Sequence, residues 1–335
     1  MPVSLAHLPP ALRPQRLRIV HITVGDDLRS VRTSDHAMLT GACAAIGSFD
    51  GVHLGHKHVI ETAVRRARAA ARPAAVICFD PHPQSYFRPD GPPFRLMRLS
   101  QQMRAFEALG VDVAYVLHFD ANMAALSPEA FARLILRDHM MLSHVSAGFD
   151  FQFGSKGAGH AADLEAFGAR FGFTTEIAAC QTDAAGRKLS SSAVREALQL
   201  GDIASATAIL GRPQAYLGEV QHGAKLGRTL DFPTLNIDLG VYLRPRYGIY
   251  VTRTKLADGR LIDGVSNIGI RPSIGGDIEL LEVYLFDFDE EIYGQMTETQ
   301  LLAFLRPEAK FDGLDALKAA IAEDAAQARA WFRHH

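Results

Sequence analysis

Two histidines flank a leucine and a glycine in His53-Leu54-Gly55-His56, where a short apolar run gives way to a helical pattern. Imidazole nitrogens can hydrogen-bond to phosphate oxygens, and glycine lets the backbone approach a ligand closely. A helix N-terminus adds unpaired N–H groups and a positive dipole. The segment therefore predicts a site for the phosphates of a nucleotide, comprising Gly47, Phe49, Asp50, Gly51, His53, Gly55 and His56. The alternative is an ordinary turn with solvated histidines.

Polar residues at another predicted helix start could bind phosphates too. Ser190, Ser191 and Ser192 open the helical pattern 191–200, and Arg195 follows in its first turn. Serine hydroxyls, free N–H groups and a guanidinium together can clamp a phosphate. Taken alone, the cluster is explained better by a serine N-cap beside an exposed arginine. Together with the histidine pair, the clamp becomes the better interpretation.

Aromatic rings and carboxylates follow two further predicted strands. Phe79-Asp80-Pro81-His82-Pro83 ends one strand, and Gly148-Phe149-Asp150-Phe151-Gln152-Phe153-Gly154 ends another. Because the carboxyl ends of parallel strands share one edge of a sheet, these groups are expected at the same edge as the histidine pair. The phenylalanine rings could stack on a planar heterocycle, although ordinary core packing explains them about as well.

The second half of the chain carries its own candidate site. In the segment 218–228, glycines at 223 and 227 would let a loop wrap phosphates with its N–H groups. Thr234 and Asn236, two residues apart on a strand, point the same way and could offer oxygens to one Mg²⁺. Glu282 lies in an apolar strand and could act as a general base. The alternatives are a β-turn, an ordinary strand and a glutamate on a solvated face.

The elements that would position the first set of residues form an alternating pattern of strands and helices. Continuous apolar runs predict strands at 42–49, 74–79, 111–119, 144–149 and 174–180, buried on both faces of a parallel sheet. After His56, apolar residues keep to one helical face and arginines to the other. Ser127 and Pro128 predict the start of another helix, with the serine as N-cap.

Beyond Gly211 the pattern changes to β-rich segments separated by turn residues. These segments are 215–222, 232–238, 247–256, 261–270 and 279–288, and their close spacing predicts an antiparallel barrel or sandwich. A helix is predicted from Leu314 to Phe332. Because 335 residues exceed one ordinary core, we expect two domains, 1–205 and 206–335, and an α/β plus β fold class.

Composition excludes several classes of protein. A net charge of -2 and a pI near 6.7 give no general attraction for nucleic acid or an anionic membrane. Three cysteines without a Cys-x-x-Cys pair indicate neither a disulfide framework nor structural zinc. Without a secretion signal or a run of about 18 apolar residues, a cytoplasmic protein acting on small molecules is expected, with no nucleic-acid or membrane partner. Self-association stays open.

Taken in order, the four segments of the first half resemble the adenylyltransferase module of bacterial bifunctional riboflavin kinase/FAD synthetases. Those of the second half resemble the riboflavin kinase module of the same family, and the likeness runs from about Arg18 to Arg329. It implies a Rossmann-like nucleotidyltransferase domain with a parallel sheet, then an antiparallel six-stranded β-barrel with a terminal helix. It also implies two reactions: the barrel phosphorylates riboflavin to FMN with ATP and Mg²⁺, and the first domain adenylates FMN with ATP to FAD and pyrophosphate.

The resemblance also implies residue roles. His53 and His56 would stabilise charge on the phosphates without a covalent intermediate, and Glu282 would take the proton of the ribityl 5′-hydroxyl. Thr234 and Asn236 would bind Mg²⁺ and nucleotide phosphates. The other implied ligands of ATP are Ser190, Ser191 and Arg195 in the first domain and Gly218, Gly223, Lys225, Gly227 and Arg228 in the second. The implied ligands of FMN are Asp80, His82, Phe149, Asp150 and Phe151.

Two positions depart from the family pattern. The serine cluster usually continues with Thr-Arg-x-Arg, but here Ala193 and Val194 precede a single Arg195, and Asp231 stands where glycine is usual. Either change could weaken ATP binding, so a chain with only one of the two activities is an alternative. Two further alternatives are a passive flavin-binding module and a nucleotidyltransferase for another acceptor. The histidine pair and Pro233-Thr234-Leu235-Asn236 speak against the passive module, and the barrel speaks against the other acceptor.

Overall fold

The structure is a computed structural model that describes residues 8–34, 40–183, 185–222, 232–273 and 276–335, except for the side chains at 271–278. These residues form two units. The sheet unit consists of the described residues in 14–91 and 102–189. The barrel unit consists of residues 8–13, 92–101 and the described residues from 190 to 335.

Seven strands form the sheet of the sheet unit. They are β1 (Arg18–Val24), β2 (Val31–Thr33), β3 (Cys43–Ile46), β4 (Ala74–Asp80), β5 (Val113–His118), β6 (His144–Gly148) and β7 (Thr174–Ala178). Their order is β2-β1-β5-β4-β3-β6-β7. All neighbours are parallel except β2, which pairs antiparallel with β1 at the edge. The sheet is thus mixed and mostly parallel, and β3 lies near its centre.

The five predicted strands of this sheet are present with slightly shifted ends, but one expectation about them is wrong. β3 is buried throughout and β4 and β5 over most of their length, as strands covered on both faces should be. β7 is not, because it is an edge strand and four of its five residues are exposed or half-buried. The apolar-run criterion also misses β1, whose polar and apolar residues are interspersed, and β2, which has only three residues.

Helices follow most of the strands. They are α1 (Leu54–Ala69), α2 (Pro83–Phe87), α3 (Leu99–Ala108), α4 (Ala121–Ala125), α5 (Pro128–Ala130), which continues as a π-helix over Phe131–His139, and α6 (Ala161–Phe171). The amphipathic pattern of α1 is confirmed, with a buried apolar face and exposed arginines. Arg68 Nη1 lies 2.7 Å from Asp112 Oδ2. Ser127 is confirmed as the N-cap of α5, since its hydroxyl accepts from the N–H of Ala130 at 3.1 Å.

A closed antiparallel barrel of six strands dominates the barrel unit. Its strands are β8 (Gln214–Gln221), β9 (Thr234–Asp238), β10 (Gly248–Lys255), β11 (Leu261–Ser273), β12 (Gly276–Leu285) and β13 (Met296–Pro307). They close in the order β10-β11-β12-β9-β8-β13. Five of them match the predicted segments. β13 is absent from those segments and completes the barrel by pairing with both β8 and β10.

Three more helices belong to the barrel unit: α7 (Ser191–Leu200), α8 (Ile203–Leu210) and α9 (Leu314–His334). The predicted terminal helix is therefore present as α9. It packs on the barrel through Ala325 and Ala328, which are buried against Val251 and Val265. A bidentate ion pair joins α9 to β13, with Arg306 Nε 2.7 Å from Asp324 Oδ1 and Arg306 Nη2 2.6 Å from Oδ2.

No helix in the described part of the chain is long and apolar enough to cross a membrane. The three cysteines are free thiols, two of them buried and Cys180 exposed.

Candidate active sites

The first candidate site is the turn between β3 and α1, where the backbone takes an uncommon path. Phe49, Gly51 and Val52 have φ angles of 49°, 87° and 40°. Left-handed conformations of this kind are costly for residues other than glycine and persist only where the surroundings enforce them. Phe49, Asp50 and Val52 are each no more than 2% exposed, so the turn is held inside the sheet unit.

His53 and His56 lie face to face at the start of α1. Their ring centroids are 3.6 Å apart with an interplanar angle of 24°. His53 is the N-cap of the helix, and its Nδ1 accepts from the N–H of His56 at 3.3 Å. A Cβ at Gly55 would stand 3.1 Å from the His53 ring and 3.2 Å from the carbonyl oxygen of Leu189. Glycine at 55 therefore leaves room for the histidine pair, at the positive end of the helix dipole.

A glutamine from α3 supports this turn, and the sequence motifs do not identify it. Gln102 is 1% exposed, and its Nε2 donates to the carbonyl oxygens of Ser48 at 3.0 Å and Phe49 at 2.9 Å. Two backbone acceptors of the uncommon turn are thereby satisfied by one amide. The sequence gives no signal for this role, because polar and apolar residues are evenly mixed in Leu99–Ala108, where Gln102 stands.

A cavity of about 430 Å³ opens beside the turn, within the sheet unit. Five of the predicted site residues line it, at the carboxyl ends of β3 and β6. Five phenylalanine side chains contribute to the rest of its wall, as suits a planar apolar ligand. The five predicted residues are Gly47, Phe49, His56, Asp150 and Phe151; the five phenylalanines are Phe79 and Phe153, which lie in the quoted motifs, and Phe87, Phe119 and Phe131, which lie outside them.

The other residues predicted for this edge lie outside the cavity wall. Asp80 ends β4, and His82 caps α2, with its Nδ1 accepting from the N–H of Gln84 at 3.1 Å. Phe149 is 45% exposed, and the ammonium group of Lys188 lies 4.7 Å from the centre of its ring. The same ammonium group pairs with Asp150 Oδ2 at 2.7 Å. Lys188 is therefore a second residue that the motifs missed.

The serine cluster begins α7 in the barrel unit. Ser190 is the N-cap, and its hydroxyl accepts from the N–H of Ala193 at 3.2 Å. Ser191 is the first helical residue. Arg195 donates from Nε to the carbonyl oxygen of Phe94 at 2.9 Å and lies over the Phe94 ring. The predicted helix start is confirmed, and the arginine is held by a neighbouring loop of the same unit.

The second candidate site lies across three neighbouring strands of the barrel. Glu282 on β12 stands directly opposite Asn236 on β9 and directly opposite Asn267 on β11. Directly opposite side chains of antiparallel strands share one face and lie about 4.5–5.5 Å apart at Cβ. Thr234, opposite Tyr284, lies on this face too. Three of the residues predicted from the second half, Thr234, Asn236 and Glu282, are thus brought together.

Alternation along β12 shows which face this is. Leu281 and Val283 are fully buried, whereas Glu282 between them is half-buried. Glu282 therefore lies on the opposite face from the apolar side chains of the strand. Asn236 is 7% exposed. The Glu282 carboxylate therefore belongs to the partly exposed face of β12, with Asn236 and Asn267 on either side.

A cavity of about 380 Å³ adjoins Thr234 in the barrel unit. Pro233, Phe288, Ile292 and Tyr293 contribute to its wall. The ring of His222 stacks on that of Tyr293, with centroids 3.9 Å apart. Gly218 lies on β8, where a Cβ would come within 2.4 Å of Ile237. The remaining predicted residues of this site, Gly223, Lys225, Gly227 and Arg228, lie outside the described residues. Asp231, which departs from the family pattern, lies outside them too.

β12 also carries a charged cluster around Glu279, three residues before Glu282 and therefore on the opposite face of the strand. Arg244 Nε lies 2.6 Å from Glu279 Oε2, and the hydroxyl of Tyr247 donates to the same carboxylate. Burial alone would raise the pKa of Glu279, but these two hydrogen bonds outweigh it and lower that pKa. Burial and the bond to Glu279 raise the pKa of Tyr247 to about 12. At neutral pH this corner therefore holds an ionised Glu279, a cationic Arg244 and a neutral tyrosine.

A mostly parallel sheet with a histidine pair at its carboxyl edge, joined to a closed barrel with a carboxylate opposite oxygen donors, defines a two-domain enzyme of phosphorus transfer. Family models agree: residues 35–193 match FAD synthetase and residues 210–332 match riboflavin kinase. A bifunctional riboflavin kinase/FMN adenylyltransferase of Haemophilus influenzae is 42% identical over 88% of this chain and 96% of its own length. That of Escherichia coli K12 is 36% identical over 91% and 97%. The chain belongs to the bifunctional riboflavin kinase/FMN adenylyltransferase family.

The membership confirms the predicted enzyme class and its biosynthetic role. The chain is a riboflavin kinase and FMN adenylyltransferase, and it acts in the formation of FMN and FAD from flavin and nucleotide substrates. A solved structure of a macrolide-efflux protein from Streptococcus pneumoniae has the same overall fold, with a TM-score of 0.80 at 28% identity over 93% of this chain and 99% of that one. The passive flavin-binding module and the nucleotidyltransferase for another acceptor are therefore rejected.

Proposed function

We propose that the barrel phosphorylates riboflavin with Glu282 as general base. The carboxylate takes the proton of the ribityl 5′-hydroxyl while that oxygen bonds to the γ-phosphorus of ATP and ADP leaves. The observation that carries the proposal is the direct pairing of Glu282 with Asn236 across β12 and β9, which sets a base beside oxygen donors. A general base must lie within hydrogen-bond distance of the proton that it takes. The register of β12 and β9 fixes the distance between Glu282 and the residues proposed to hold the phosphates.

Thr234 and Asn236 are proposed to hold Mg²⁺ and the phosphates of ATP in this reaction. Both side chains offer oxygen, the donor that Mg²⁺ prefers, and both lie on the face of Glu282. When bound, the ion would neutralise charge on the transferred phosphoryl group. Gly218, Gly223, Lys225, Gly227 and Arg228 are assigned to ATP on the family resemblance.

In the sheet unit, His53 and His56 are proposed to stabilise charge on the phosphates during adenylation. A phosphate oxygen of FMN bonds to the α-phosphorus of ATP, the bond from that phosphorus to the β-bridging oxygen breaks, and pyrophosphate leaves. The histidines act by position and electrostatics, supported by the N-terminus of α1. Gly47, Phe49, Asp50, Gly51 and Gly55 belong to the same proposed nucleotide site, and Ser190, Ser191 and Arg195 are assigned to it on the resemblance.

The aromatic cavity is proposed as the flavin pocket of the adenylyltransferase. Its volume and its rings suit a tricyclic heterocycle, with Phe151 and Asp150 at its wall. Asp80, His82 and Phe149, from the same edge of the sheet, are assigned to FMN on the resemblance. For the division of labour, we assign FMN adenylation to residues 1–205 and riboflavin phosphorylation to residues 206–335.

One substitution tests the division of labour. In Glu282→Gln the side chain keeps its shape and loses its basicity, so FMN formation from riboflavin is expected to fall roughly 10²- to 10⁴-fold. FAD formation from supplied FMN should be unchanged, as followed by chromatography of the flavins with ATP and Mg²⁺. Glu323→Gln is the matched control, since Glu323 is an exposed glutamate on α9 that contacts Gln327. Retained kinase activity in Glu282→Gln contradicts the proposal.

The time course of the unsubstituted protein measures how the Ala193 and Asp231 departures affect each of the two activities. FMN that appears first and FAD that follows indicate two working sites. FMN alone would indicate that the adenylyltransferase is impaired, consistent with the Ala193 departure. Unchanged riboflavin, together with FAD made from supplied FMN, would indicate an impaired kinase, consistent with Asp231.

A further inference from the structure

Asn236 on β9, Glu282 on β12 and Asn267 on β11 form a row of directly opposite residues. Asn267 is the third member of this row, and the motifs assign it no role. Its Nδ2 lies 3.4 Å from Glu282 Oε2 and 3.3 Å from Glu308 Oε1. Both distances are long for N–H···O bonds, so each contact is weak and largely electrostatic. One amide nitrogen thus stands between two carboxylates whose nearest oxygens are within about 7 Å of each other.

Glu308 reaches this position because β11 is open beside it. A Cβ at Gly269 would stand 1.9 Å from Glu308 Oε1, so the carboxylate occupies the space that a side chain would otherwise fill. Glu308 follows the end of β13, and its side chain extends over β11. A second negative charge is therefore set close to the base that the kinase requires.

The orientation of the Asn267 amide follows from its neighbours. With Nδ2 towards two carboxylates, the amide donates to both of them; turned by 180°, it would direct its oxygen at acceptors alone. The Oδ1 atom is buried and has no hydrogen-bond partner among the described residues. A buried unpaired oxygen is unfavourable, so the charge-assisted contacts of Nδ2 decide this orientation of the amide.

We propose that Asn267 is a positioning residue of the kinase: its Nδ2 holds the Glu282 carboxylate in the row and screens it from Glu308. The inference rests on the proposed role of Glu282 as base. Without the amide, repulsion from Glu308 would turn the Glu282 carboxylate away from Asn236. A base displaced by about 1 Å loses on the order of 10²-fold in rate. The substrates bind to other groups, so their affinities should change little.

Asn267→Ala tests the proposal. The kcat of the kinase is expected to fall roughly 10- to 100-fold, while the KM values for riboflavin and ATP should change by less than about threefold. Adding Glu308→Gln removes the repelling charge, so the double variant should recover at least a third of the lost rate on a logarithmic scale. Such rescue would not occur if Asn267 merely stabilised the barrel. Asp263→Ala is the matched control: it is on β11, on the same face, and its partner is Arg253 at 2.6 Å.

Thermal unfolding shows whether the barrel of each variant is folded, and FAD formation from supplied FMN shows that the sheet unit is intact. If Asn267→Ala unfolds, Asn267→Asp serves instead; it is nearly isosteric, adds a third carboxylate and should lower kcat at least as much. Wild-type kcat in these variants, a raised KM with unchanged kcat, or absence of rescue by Glu308→Gln overturns the proposal. A Glu282→Gln variant with full kinase activity would instead refute the role of Glu282 itself, so the two failures are distinguishable.

Discussion

Gln102 offers the sharpest test of how the adenylyltransferase turn is held. Its Nε2 donates at 3.0 Å and 2.9 Å to two carbonyl oxygens of a turn in which Phe49 and Val52 are left-handed. Gln102→Ala removes both bonds; the carbonyl oxygen of Phe49 keeps its bond from the N–H of Val52 at 3.1 Å, whereas that of Ser48 loses its side-chain partner, at a cost of about 1–3 kcal/mol to the native turn. If the turn relaxes by that amount, kcat/KM for FMN adenylation should fall roughly 5- to 160-fold.

The assay compares the two reactions in one protein. FAD formation from FMN should fall while FMN formation from riboflavin, measured in the same preparation, stays within threefold of wild type. Ser143→Ala is the matched control: Ser143 lies just before β6, at the amino end of the sheet, and its hydroxyl donates to the carbonyl oxygen of Gly41 at 2.7 Å. That variant also loses a bond from a side chain to a carbonyl. Unimpaired adenylation in Gln102→Ala would refute the reasoning.

Two further predictions concern stability. Burial lowers the pKa of His144, so the unfolded chain takes up a proton near pH 6.5 and the folded chain only at lower pH. The stability that neutral His144 contributes is therefore complete above about pH 6.5 and is lost as the pH falls, by at most about 1.4 kcal/mol per pH unit. In His144→Asn the melting temperature should depend less on pH between pH 7.5 and 5.5 than in the wild type. An unchanged pH dependence would contradict this prediction. Asp324→Asn leaves Arg306 without its carboxylate partner in a nearly buried ion pair. The free energy of unfolding in urea, followed by kinase activity, should therefore fall by about 3 kcal/mol. A fall of less than about 1 kcal/mol would contradict a stabilising role of the ion pair.

Local patterns predicted much of the fold because they report burial directly. The continuous apolar runs of β3, β4 and β5 predict central strands, and Ser127 and Pro128 predict the start of a helix. β13 escaped because several of its buried residues are polar. Thr297, Glu298 and Thr299 are no more than 8% exposed, and Thr299 Oγ1 lies 3.0 Å from Thr254 Oγ1. A buried hydroxyl with a partner across the barrel has no signature within its own strand.

The candidate sites were predictable where a motif is continuous in sequence, as in His53-Leu54-Gly55-His56. What the motifs could not provide is which distant residues meet them. Gln102 lies 53 positions from Phe49, and the opposition of Glu282 to Asn236 depends on strand register. Register is set by the hydrogen bonding of whole strands and by their turns, and neither can be read from the residues of one motif.

The row of Asn236, Glu282 and Asn267 ties the kinase chemistry to the pairing of three strands. Insertion of one residue in β12 ahead of Glu282 would shift its pairing by one step and turn every following side chain to the other face. Glu282 would then lie on the apolar face that Leu281 and Val283 occupy. A two-residue insertion would restore the face but would displace the carboxylate by about 7 Å along the strand. Changes in length should therefore be confined to the turns between β9, β11 and β12, and these strands should tolerate substitution far better than insertion.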